Sequence, residues 1–183
     1  MLLPIENQNQ SLLKTFPHNM KIILNILLAF FTIIGLYYSI GVATVLKNGT
    51  SITQSPGTLT RLKTFFSTHV AETSFGSVYP ELQPLKIKRS DSLDQATLIN
   101  TIKSSAESLG YQLEGQLNSE LHFVMTTALF KFKDDVYISV QSEQDSLIVN
   151  AKSESRVGRA DFGANIANIV VLFKHINQQL NKG

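Results

Sequence analysis

The chain has no cysteine, no tryptophan, few charges and only four histidines. Without cysteine there can be no disulfide, no thiolate nucleophile, no zinc ribbon and no cysteine-ligated iron–sulfur cluster. Charged residues are 16% of the composition, against roughly a quarter in an ordinary soluble domain. A net charge of +2 is too small to neutralise a phosphate backbone, so nucleic acid is not an expected partner. His18, His69, His122 and His175 have no metal-ligand spacing, and neither a metal nor another cofactor is expected. No G-x-S-x-G elbow occurs, so a serine hydrolase of that type is excluded. With 183 residues there is room for one modest domain and an appendage.

What the chain does have is an uneven distribution of apolar residues. Residues 22–46 carry no charge and are interrupted only by Asn25 and scattered Thr, Ser and Tyr. As a helix this run reaches roughly 37 Å, against a hydrocarbon core of about 30 Å. It is apolar all round, which favours a bilayer over the interior of a soluble domain. A cleaved signal peptide is the alternative, with Gly41-Val42-Ala43 as its cleavage-site residues. The apolar region is long for a signal and about twenty residues precede it, so an uncleaved anchor is favoured.

The expected partner is therefore the lipid bilayer and the expected location the cell membrane, crossed once. Lys14 and Lys21 before the run nearly balance Lys47, Arg61 and Lys63 after it. Orientation then leans on size, because a short tail is the easier part to leave in the cytoplasm. That places the C-terminal domain on the extracytoplasmic (periplasmic) side. Asn48-Gly49-Thr50 fits a glycosylation sequon, which matters only in a eukaryotic secretory setting.

The remaining organisation is read as a tail (1–21), the transmembrane helix (22–46), a linker (47–78) and an α+β domain (79–183). The linker is rich in Ser, Thr and Gly, with Pro56-Gly57 as a turn. Leu62, Phe65, Phe66 and Val70 suggest a short helix lying on the bilayer or on the domain. Tyr79 to Lys88 holds two prolines, which forbid a helix and suggest an edge strand or an extended recognition segment around Tyr79 and Glu81.

A helix is predicted from Ser90-Asp91-Ser92, with an apolar stripe through Leu93, Ala96, Ile99, Ile102, Ala106 and Leu109 and Gly110 past its end. About four antiparallel strands follow. They begin at Tyr111, at Leu121 (with Leu121, Phe123, Met125, Thr127 and Leu129 on one face), at Val136 and at Leu147. Lys133-Asp134-Asp135 is read as a turn, a bland assignment that gives no facing carboxylate pair. Asp161 is expected to cap a last helix with a stripe from Phe162 to Leu180. The fold class is α+β: an N-terminal transmembrane helix, then an antiparallel meander of four to five strands with two packed helices.

The segment from Ser153 to Asn165 joins the last strand to the last helix. Its pattern S-x-S-R-V-G-x-x-D-x-G-x-N resembles the signature of uncharacterised bacterial and plastid proteins grouped as domain of unknown function 1499. Thr73-Ser74 with Tyr79-Pro80-Glu81-Leu82, and Phe132-x-Asp134-Asp135-Val136, match further pieces in order. The resemblance covers about residues 71–181 and implies an N-terminal membrane segment, as in many members. Others carry a cysteine-containing N-terminal stretch, absent here. No reaction is implied.

Physically, Gly158 suits a left-handed turn, Asp161 a helix cap, and Arg156 with Asp161 an ion pair across the turn. Gly163 would let the helix approach the sheet, and Asn165 would bond a neighbouring loop. A purely structural role covers all of these residues. Arg156, Arg159 and the helix N–H groups offer an alternative, a weak anion site. Gly158 and Gly163 have phosphate-loop spacing, but Ala164-Asn165 stands where the decisive Lys-Ser/Thr pair belongs.

Three functions are consistent with these residues. The first is a non-catalytic binding or interaction module engaging another envelope protein or a lipid-like ligand. The second is a hydrolase or transferase using Asp134, Asp135, Asp161 and Arg156. The third is a structural protein acting through its span.

Overall fold

The structure is a computed structural model of the full chain and describes residues 17–91, 93–127 and 131–181. The N-terminal tail through residue 16, Ser92 and Leu129 therefore lie outside the described residues. The chain divides into two compact units, Met1–Ala43 and Thr44–Gly183.

The first unit is dominated by α1 (His18–Lys47), whose last turn belongs to the second unit. It is the one described helix long and apolar enough to cross a membrane. Its 30 residues reach about 45 Å, enough for the hydrocarbon core and both flanks. Ile26, Leu28, Phe31, Ile33 and Leu36 are all exposed, the pattern a membrane-crossing helix would show.

The second unit is an antiparallel sheet with helices on one face. In chain order its elements are α2 (Thr58–Phe65), β1 (Val70–Glu72), a 3-10 turn (Pro80–Leu82), β2 (Leu85–Lys88), α3 (Gln95–Ser108), β3 (Gln112–Leu117), β4 (Glu120–Thr126), β5 (Lys133–Ser142), β6 (Ser146–Ser155) and α4 (Ala164–Leu180). The sheet runs β1-β6-β5-β4-β3, with β2 also on β6. Successive strands β3 to β6 pair as a meander. The long strand β6 takes β5 along one edge and both β1 and β2 along the other.

Alternation sets the two faces. Phe123, Val136 and Ile138, with Leu147, Val149 and Ala151, point into the core. There they meet Leu98, Ile102 and Ala106 of α3 and Ile166, Ile169, Leu172, Phe173 and Ile176 of α4. The opposite face carries His122, Tyr137, Lys152 and Glu154, all partly exposed.

Several local expectations change. The stretch expected to be mostly linker supplies α2 and β1, and Phe65 of α2 is buried in the core. Tyr79–Leu82 forms a 3-10 turn rather than an edge strand, because Pro80 at its first position fits a helical turn; the strand begins at Leu85.

The first domain helix starts at Gln95, not at Ser90. Ser90 and Leu93 close a small bridge, and Asp94 caps the helix by accepting the Thr97 N–H at 2.8 Å. Its buried face is centred on Leu98, Ile102 and Ala106, leaving Leu93 before the helix and Ala96 exposed. Lys133-Asp134-Asp135 is not a turn. These residues begin β5, held on both sides by the ladders to β4 and β6. The last helix starts at Ala164, so Phe162 sits in the preceding loop with φ 53°.

Candidate functional site

Because β5 and β6 alternate, adjacent residues of the motif and of the Asp134-Asp135 pair are sent to opposite faces. Asp134, Ser153 and Ser155 face α4; Asp135 and Glu154 face away.

On the α4 side a closed hydrogen-bonded ring forms. The Ser155 hydroxyl donates to Asp134 Oδ1 at 2.6 Å. Asn168 Nδ2 donates to Asp134 Oδ2 at 3.1 Å and to the Ser153 hydroxyl at 3.2 Å. Ser153 donates to Asn165 Oδ1 at 2.6 Å, and Asn165 Nδ2 donates back to Ser155 Oγ at 3.0 Å. Asn165 Nδ2 also reaches Asp161 Oδ2 at 2.7 Å and the His69 carbonyl at 2.8 Å. Asp134, Ser153 and Asn165 are almost fully buried. A satisfied network of this kind fixes one packing of helix on sheet.

The N-cap position of α4 is Gly163, and Asp161 caps from two residues before it, accepting the backbone N–H of Gly163 at 2.8 Å and of Asn165 at 3.2 Å. Burial pushes its carboxyl above the ordinary carboxylate value. The bonds from Gly163 and Asn165 oppose that shift, and the charge of Asp134 adds to it.

The loop between β6 and α4 turns through Gly158 (φ 98°), Phe162 (φ 53°) and Gly163 (φ 78°). It is fastened to the chain that follows α1. Asn48 Nδ2 donates to the Phe162 carbonyl at 3.3 Å and the Thr50 hydroxyl to the Gly163 carbonyl at 3.1 Å. A Cβ at Gly163 would lie 3.3 Å from Thr50 Oγ1, so the close approach that needs glycine is to Thr50 and Phe65, not to the sheet. Arg159 is exposed on this loop.

Beneath the loop lies a cavity of about 300 Å³. Met125, Phe132, Val157, Ala160, Phe162 and Ala167 make apolar walls. Asp134, Ser155, Asp161 and Asn168 supply polar groups, and Thr44, Lys47 and Asn48 also line it. Lys47 directly follows the apolar run in sequence.

Arg156 does not pair with Asp161. Its guanidinium grips Asp135 on the outer face with two bonds of 2.7 and 2.8 Å, and Asp135 Oδ1 is also 2.6 Å from His122 Nε2. The Arg156 bonds hold the Asp135 carboxyl down at about 2, against the opposing effect of burial, with His122 adding to the lowering. Of the four groups required by a carboxylate enzyme, Asp134 and Asp161 thus lie on one side of the sheet and Asp135 and Arg156 on the other.

Tyr79 and Glu81 belong to a third cluster. Fully buried Arg61 makes a bidentate pair with Glu81 at 2.6 and 2.9 Å, bonds the Ser51, Gln54 and Ser55 carbonyls, and lies 4.9 Å from the Tyr79 ring centre. The Glu81 carboxyl is opposed by desolvation but ends below its ordinary value through the Arg61 bond. These residues lock the segment after α1 to the domain and form no open site.

Sequence reasoning did not single out Ser153, Ser155, Asn168, His122 or Arg61. The first two were within the motif. The spacing of Asn165 and Asn168, three apart on an otherwise apolar helix face, was the available signal for the third. His122 and Arg61 find partners 13 and 20 positions away, which no local pattern encodes. Among the described residues no group of three His, Cys, Asp or Glu is placed to hold a metal ion.

No characterised protein in a curated collection matches the chain. A family model described as "Protein of unknown function (DUF1499)" matches residues 45–176. That match begins upstream of the motif pieces, taking in Arg61 and the segment that fastens the loop. With nearly the whole second unit covered and every fixed position of the Ser153–Asn165 signature in place, the chain belongs to the DUF1499 family.

Proposed function

We propose that the chain is a non-catalytic, bilayer-anchored binding module of the cell envelope that holds a lipid-like molecule under the motif loop. The observation that carries this reading is the cavity itself. It has apolar walls, a few convergent polar groups at Asp134, Ser155, Asp161 and Asn168, and a lining that takes in Thr44 near the end of the apolar run and Lys47 directly after it. Ligand sites of small molecules have this composition, and 300 Å³ is at the small end of their range. An acyl chain fits the walls and a hydroxyl- or amine-bearing head fits the carboxylates. In this reading α1 crosses the cell membrane once and the C-terminal domain is extracytoplasmic, with an envelope protein as a further partner.

The test is purification of the full chain from membranes in mild detergent, followed by native mass spectrometry. Wild type should carry bound lipid. Ala167→Phe, which fills the cavity, should not. Equal lipid on both, or none on wild type, refutes the reading. A periplasm-active reporter fused after residue 183 should be active.

A hydrolase or transferase built on Asp134, Asp135, Asp161 and Arg156 ranks lower because the two pairs lie on different faces of the sheet. If the span is itself the docking element, exchanging residues 22–46 for an unrelated transmembrane helix will abolish function.

A further inference from the structure

The outer face of the sheet carries a cross-strand row that neither the cavity nor the motif loop uses. Gly115 of β3, His122 of β4, Tyr137 of β5, Lys152 of β6 and Glu72 of β1 stand directly opposite one another in register. They line a groove of about 490 Å³. His122 and Tyr137 are stacked, with ring centres 4.6 Å apart and planes at 11°. The Asp135 carboxylate, itself gripped by Arg156, fixes the imidazole in this orientation.

On its other side His122 faces Gly115, where no side chain stands. A Cβ at Gly115 would meet nothing within 4 Å. Strands lie about 4.8 Å apart and β3 is the edge strand, so the missing side chain leaves a slot against the second face of the imidazole that is open at the edge of the sheet. The next row adds Glu120 and Asn150, one carboxylate and one amide, at the border of the slot. Lys152, the lysine in this lining, is already paired with Glu154 at 2.6 Å.

We infer that this groove is a second binding site, for a neutral sugar ring of an oligosaccharide, stacked on His122 in the slot left by Gly115. A pyranose offers an apolar C–H face to the imidazole and rim hydroxyls to Glu120 and Asn150. Glu72 and Glu120 in the lining, with Lys152 paired to Glu154, disfavour a phosphate-bearing ligand. The site is independent of the cavity under the motif loop.

The experiment is calorimetric titration of the full chain, in a detergent without a sugar headgroup, with a neutral tetrasaccharide of N-acetylglucosamine, and with adenosine monophosphate as the planar anionic comparator. The tetrasaccharide should bind. Gly115→Val should weaken it by roughly tenfold or more. Gly115 has no left-handed φ and open space around it, so this variant fills the slot without straining the strand. Glu120→Ala provides a second variant and should weaken binding several-fold. Unchanged affinity in Gly115→Val, no heat up to about 10 mM saccharide, or preferential binding of the nucleotide overturns the proposal.

Discussion

Truncating Asn165 to alanine is the most direct probe of the polar ring between sheet and α4. Its amide accepts from Ser153 and donates to Ser155, Asp161 and the His69 carbonyl. Not all of these partners are orphaned by the change. The His69 carbonyl keeps the Ser155 N–H, and Asp161 keeps the N–H groups of residues 163 and 165. What is lost is the acceptor for a fully buried hydroxyl, worth about 1–3 kcal/mol, and a charge-assisted bond to Asp161, worth about 1.5–3 kcal/mol. A net destabilisation of about 3 kcal/mol follows.

For a unit of this size that lowers the melting temperature by roughly 10 °C. Far-ultraviolet circular dichroism of the full chain in micelles should follow the sheet signal, since α1 melts separately if at all. A change under about 2 °C would mean that the ring contributes nothing to holding α4 on the sheet. Asn168→Ala, which spares the Asp161 cap, should cost less than Asn165→Ala.

Further perturbations separate the other clusters. Asp135 has its carboxyl lowered to about 2, so its pairing stabilises the fold above the unfolded pKa and the gain is lost as pH falls. Acidification from roughly pH 5 to 2 should lower the urea midpoint, and Arg156→Gln should flatten that dependence. Asp161 acts with the opposite sign. Its raised carboxyl makes the folded state bind a proton more tightly, so Asp161→Asn should remove a loss of stability that sets in as pH rises past the ordinary carboxylate value. Arg61→Met leaves Glu81 and the Ser51 and Ser55 carbonyls without their donor (the Gln54 carbonyl keeps the Gly57 N–H) and should destabilise by roughly 3–5 kcal/mol, read as a lower melting temperature and faster proteolysis near residues 51–55. Gly163→Ala should lose about 1–2 kcal/mol from the left-handed φ and the Thr50 contact, whereas Gly115→Ala, measured in the same melt, should be neutral.

The elements with strong periodicity were legible before the structure: the apolar run, the stripe of α4, and the alternation of β4 to β6, while the stripe read for α3 held Ile102 and Ala106 but missed the buried Leu98. What failed was local pairing. Arg156 and Asp161 are five apart, yet period-two alternation puts Ser155 inward and Arg156 outward, while Asp161 stays on the helix side. Lys133-Asp134-Asp135 has turn composition, but each acid satisfies itself from a different distant element, so the pair tolerates a strand. The segment after the apolar run looked like linker because Ser, Thr and Gly dominate it. Its order comes from tertiary contacts, among them a buried guanidinium reaching residue 81 and the buried Phe65, and contacts of that kind leave no mark on composition. The motif was found, while the ring it builds needed Asn168, which lies just beyond it.

The bonds from Asn48 and Thr50 to the loop carbonyls of Phe162 and Gly163 also have a mechanical consequence. If α1 is the anchor proposed above, tension applied to the chain at residue 47, by membrane bending or by a partner pulling on the domain, is shared by these two bonds and the buried Val45 of α1's last turn. They would be loaded before any strand of the sheet. The mouth of the cavity thus lies in series with such an anchor, and stretching should loosen the loop while the sheet remains whole.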